Sequence, residues 1–155
     1  MRNLILSACL ALPLPALAQD AAAVQTGAET CTRSATDAQG RMACIGQAAA
    51  QCIEAAGPAN AAARADCLGW ERDYWQTSLD QTSGELVTAL GATPVADAFR
   101  AAQDAWQGWR DAECAYAAAR LDDDVAAATA RASCDMALTG SRAVQVEAEL
   151  AAATQ

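Results

Sequence analysis

The sequence has no histidine and no lysine, so each of its ten positive charges is an arginine. Without imidazole it cannot build a Ser-His-Asp triad or a Cys-His nucleophile pair. No glycine-rich phosphate loop is present either. Two carboxylate pairs remain, Glu71 with Asp73 and Asp111 with Glu113. An i, i+2 spacing turns the two members to different sides of a helix, and Arg72 and Arg110 adjoin them as charge partners. No enzyme and no cofactor are expected. Valine and isoleucine are few, phenylalanine occurs once, and alanine exceeds a quarter of the residues. That balance favours helix over strand. Nowhere do about 20 apolar residues run together, as crossing a bilayer requires.

The amino end has the composition of an export signal. Arg2 is the only charge before Asp20, an apolar stretch runs from Leu4 to Leu17, and Ala16-Leu17-Ala18 gives the small-x-small cleavage pattern. Residues 1–18 are therefore expected to be a signal peptide, with the mature protein starting at Gln19 in the periplasm or outside the cell. The rival lipoprotein reading, on Leu6-Ser7-Ala8-Cys9, leaves only about five apolar residues before the cysteine, short of the roughly 7–15 such a segment needs. The formal charge of −9 becomes −10 once Arg2 is lost. A surface so acidic argues against nucleic acid and anionic membrane as partners and favours a basic protein. Solubility alone is the plainer explanation of the charge.

Of seven cysteines, Cys9 lies in the signal and six remain. An even number in an exported chain reads as three disulfides. Zinc is disfavoured, because there is no C-x-x-C and no histidine. Cys44 and Cys52 would lie about 12 Å apart on one helix, beyond the roughly 7 Å a disulfide allows. Cys52 and Cys67 straddle a turn at Gly57-Pro58 at similar distances, and Cys114 and Cys134 do so around Asp122-Asp123-Asp124. Elimination leaves Cys31 with Cys44.

Residues 19–30 show no periodicity and are expected to form a loose arm. Four helical segments follow. The first, about 33–56, is weakened by Gly40 and Gly46. The second, about 60–90, opens at Asn60 and carries Leu68, Trp75, Leu79, Leu86 and Leu90 on one face. The third starts with Thr93 as cap and Pro94 in the first turn, its apolar face reading Val95, Phe99, Ala102, Trp106 and Trp109. The fourth begins near Asp124 and repeats apolar residues from Val125 to Leu150. Short turns between amphipathic segments predict a small all-α antiparallel bundle stapled by disulfides.

Two features are candidates for partner binding. Asp122, Asp123 and Asp124 are either a solvated turn whose last aspartate caps a helix or an acidic knob for a basic partner. Most aromatics are expected in the core. Trp70, offset from the Leu68–Trp75–Leu79 stripe, and Trp109 are the candidates for exposed anchors.

The run Ala102-Gln103-Asp104-Ala105-Trp106-Gln107-Gly108-Trp109-Arg110-Asp111-Ala112-Glu113-Cys114, followed by Cys134 and Thr139-Gly140-Ser141-Arg142, resembles the LprI-like lysozyme inhibitor family. Cys67, Glu71 and Leu79-Asp80 match its earlier stretch more loosely, with an aspartate where the family has asparagine. The likeness spans about 60–150, and the Cys31–Cys44 segment looks like an addition. The resemblance implies an LprI-like helical domain over 31–155, held by disulfides, with Trp106 and a Cys114–Cys134 bridge fixing a helical pair. Arg110, Asp111 and Arg142 would make polar links between helices. It also implies that some members bind and inhibit animal-type lysozyme. A non-catalytic envelope adaptor or assembly module with no lysozyme target is the alternative.

Overall fold

A computed structural model describes residues 16–57 and 60–155. Residues 1–15, which fall within the expected signal peptide, and residues 58 and 59 lie outside the described residues. The chain forms α1 (Ala16–Ser34), α2 (Ala38–Cys44), α3 (Gln47–Ala56), α4 (Ala61–Leu90), α5 (Pro94–Ala119) and α6 (Asp124–Ala153), with no strand among the described residues. Three disulfides, Cys31–Cys44, Cys52–Cys67 and Cys114–Cys134, cross-link it.

Six helices stand among the described residues where four segments were expected, for two reasons. Gly46 adopts φ 87°, which ends α2 and opens α3, a left-handed conformation that glycine takes without steric cost. Residues 19–30, expected to be a loose arm, belong to α1. Val24 and Ala28 are buried there against Ala48, and the Thr32 and Tyr74 hydroxyls share a hydrogen bond of 2.6 Å. Few apolar residues serve this contact, because alanine and glycine let the backbones approach: a Cβ on Gly27 would stand 3.3 Å from that of Ala48. Polar spacing along the strip hides it from a periodicity argument.

The later starts follow capping chemistry. Asn60 accepts from the Ala63 N–H and Thr93 from the Ala96 N–H. At the aspartate turn the cap is Asp123 rather than Asp124; its extended backbone lets the carboxyl group accept from the Ala126 N–H at 2.8 Å, while Asp124 is the first helical residue.

Side-chain pairings give the directions of the long helices. Gln76 and Ser83 of α4 meet Arg110 and Gln103 of α5, in reversed order. The same two α5 residues meet Thr139 and Arg142 of α6, again reversed. α5 is therefore antiparallel to both α4 and α6, which run parallel to each other. The core between them holds Leu68, Trp75, Leu79, Leu86, Met136, Ala143, Val144 and Val146. No helix among the described residues is long and apolar enough to cross a membrane.

α5 is rotated from the expected face. Its inward residues are Ala96, Phe99, Gln103, Trp106, Arg110 and Cys114, while Val95, Ala102 and Trp109 face solvent. The Cys114–Cys134 bridge turns residue 114 fully inward. The positions one turn apart from it, 110, 106, 103 and 99, must then follow.

Candidate functional site

Three groups of residues stand out: a buried carboxyl group, two arginine bridges and an exposed apolar face. Glu71, on α4, is completely buried. One of its carboxyl oxygens accepts from the Gly46 N–H at 2.6 Å and the Trp75 Nε1–H at 3.0 Å; the other accepts from the Ala49 N–H at 2.7 Å. The first N–H groups of a helix lack intrahelical acceptors, and Gly46 has no side chain to cap α3. Glu71 supplies that cap from another helix. Asp73 instead pairs with the neighbouring Arg72 on the surface, so these two carboxyl groups are not brought together.

The arginine bridges cross the α4–α5–α6 junction. Arg110 donates to Gln76 Oε1 at 3.0 Å and to Thr139 Oγ1 at 3.4 Å, and its guanidinium lies 5.2 Å from the centre of the Trp106 ring. Asp111 bonds Arg110 on its own helix at 2.8 Å and orients it rather than spanning helices. Arg142 donates from Nε to Gln103 Oε1 at 2.6 Å, and Gln103 in turn donates to Ser83 Oγ at 3.1 Å. The Arg142 guanidinium also reaches Glu149 and lies over Phe99. Planar guanidinium forks suit such multi-partner positions. Arg41 of α2 pairs with Glu147 of α6, which also accepts from Ser78 of α4.

The candidate contact residues divide. Trp70 is partly buried and packs against both hydrophobic clusters, including Val24 and Ala28 of α1. It is not an exposed anchor, because the helix that replaces the expected arm covers it. Trp109 is half exposed, at 51%. Asp122, Asp123 and Asp124 are all exposed. Tyr116, expected in the core, is more open than Trp109, with Arg120 over its ring at 5.8 Å. Neither the rotation of α5 nor the exposure of Tyr116 has a local signal; the position of Cys114 is the one clue that fixes both.

The geometry defines a small disulfide-bonded helical protein whose motif residues tie helices together, in a chain of net charge −9. Residues 52–146 match the family described as lysozyme inhibitor LprI, and the chain belongs to that family. The match begins at Cys52 and takes in Glu71, Arg110 and Arg142, but not α1 or α2. No curated protein and no solved structure matches the chain.

Proposed function

We propose that the protein acts outside the cytoplasm as a non-catalytic inhibitor that binds a basic lysozyme. Membership of the LprI lysozyme inhibitor family is the observation that carries this reading. Three disulfides suit an oxidising compartment. A chain of net charge −9 is attracted to a strongly basic enzyme, which accelerates encounter and rejects acidic partners. The motif residues Trp106, Arg110, Asp111 and Arg142 serve the scaffold; contact falls to exposed groups, with Trp109 and the Asp122–Asp124 turn as candidates.

Lysis of bacterial cell walls by a basic animal lysozyme tests the reading directly. Purified, oxidised protein should suppress the rate in proportion to its concentration, saturating near a fixed molar ratio. If folded protein leaves the rate untouched in molar excess, the adaptor reading takes its place.

A further inference from the structure

α5 carries two apolar faces, and the fold uses only one. The unused face consists of Val95, Ala98, Ala102, Ala105, Trp109, Ala112, Tyr116 and Ala119, every one of them exposed. Their alternating spacings of three and four are those of a seam that packs against another body. From Val95 to Ala119 the seam runs about 36 Å. Ala101, Gly108 and Ala115 lie beside it and keep the ridge narrow, with Val95, Trp109 and Tyr116 exposed by 61, 51 and 60% as its large side chains. A helix apolar on both sides is normally buried on both. Asp97, Asp104 and Asp111 form a row along one border, seven residues apart and exposed, with Arg100 paired to Asp97 and Arg110 to Asp111.

Charge selects the occupant. Antiparallel pairing with a second copy would set both aspartate rows on the same side of the helix pair, and each chain carries −9. A basic partner meets neither objection. Within the lysozyme reading the ridge has a further advantage over the Asp122–Asp124 turn. A lysozyme cleft contains two catalytic carboxyl groups, and aspartates brought beside them would be repelled. From Val95 to Ala112 the ridge itself holds no charge, Arg120 lies over Tyr116 near its end, and the exposed Asp104 together with the net charge of −9 suits a basic rim.

We infer that the outer ridge of α5, anchored by Trp109 and Tyr116 and bordered by Asp97 and Asp104, docks into the cleft of a basic lysozyme. The inference rests on the proposed function and specifies its contact surface. Large aromatic side chains in the centre with charges at the border is the arrangement that gives tight interfaces their anchors and their steering.

The test measures binding of a basic animal lysozyme by biosensor, with circular dichroism to verify folding. Two variants are compared with wild type: Trp109→Ser with Tyr116→Ser, and Ala105→Glu, which puts a carboxylate on the ridge by changing one exposed alanine. Each should weaken affinity at least a hundredfold while keeping the fold, and a soluble N-acetylglucosamine oligomer that fills the cleft should compete with wild type. Changing Asp122, Asp123 and Asp124, which lie off the ridge, to asparagine should leave dissociation within about threefold of wild type, since peripheral charge acts mainly on encounter; a loss as large as that of the ridge variants would place the contact at the turn and overturn the inference. Unaltered affinity in both folded ridge variants would overturn the inference and leave the lysozyme reading standing. A wild type that binds no lysozyme overturns both. Self-association of wild type that the ridge variants abolish would assign the ridge to a second copy and likewise overturn the inference.

Discussion

Glu71 shows how one side chain organises distant backbone. Its carboxyl group gathers three N–H donors from residues 46, 49 and 75, and so sets where α3 begins and where Trp75 sits. Each donor left unpaired in the interior costs about 1–3 kcal/mol. Glu71→Ala should therefore destabilise the oxidised protein by about 3–5 kcal/mol in urea unfolding. Glu71→Gln should cost less, because one oxygen still accepts while the amide faces a donor. A change below about 1 kcal/mol for the alanine variant would mean that water replaces the carboxyl group without loss. In the sequence, Glu71 looked like a surface carboxylate paired with Asp73, and its spacing to Cys67 carried only a family resemblance. Two of the three interior donors that explain it, the N–H groups of Gly46 and Ala49, lie more than twenty positions away.

At the scale of the helix, two glycines in the long elements behave oppositely. Gly84 lies in α4, which runs through it unbroken, and a Cβ there would meet nothing within 4 Å. Gly140 lies in α6 against Ile45, where a Cβ would stand 2.9 Å from one side-chain carbon and 3.0 Å from another. Gly84→Ala should stabilise the protein by about 0.5–1 kcal/mol through helix propensity. Gly140→Ala gains the same propensity but must displace Ile45, and should destabilise by about 1–2 kcal/mol overall. Thermal unfolding of the two variants side by side checks the sign, and equal effects would deny the close approach of α6 to Ile45. By sequence alone the two are equivalent, each a glycine within a helical segment. Only the neighbour across the interface separates them.

At the scale of the molecule, the disulfides fix arrangement as well as stability. Cys31–Cys44 ties α1 to α2, Cys52–Cys67 ties α3 to α4, and Cys114–Cys134 ties α5 to α6. Replacing Cys114 or Cys134 with serine should cost about 2–5 kcal/mol, with the double variant close to either single one. Additive single effects would show that the two residues do not act as one cross-link. Loss of this bridge also frees the rotation of α5, so tryptophan fluorescence, and the proposed binding to lysozyme, should change more than after loss of Cys52–Cys67.

Much of this structure is written in local chemistry. Alanine content makes the chain helical, Asn60 and Thr93-Pro94 mark helix starts, and Leu68, Trp75, Leu79 and Leu86 declare the buried face of α4, because capping and periodicity act over a few residues. Helical rise and loop length likewise limit which cysteines meet. What tertiary structure decided is the use of each surface. Val24 and Ala28 become core only because Ala48, Trp70 and Tyr74 stand opposite. The inward face of α5 is the one carrying Gln103 and Arg110, against its more apolar alternative, because a disulfide and the polar partners on α4 and α6 outweigh the burial of Val95 and Trp109. Hydrophobic periodicity describes a helix by itself, whereas the choice between two apolar faces belongs to whatever packs against it.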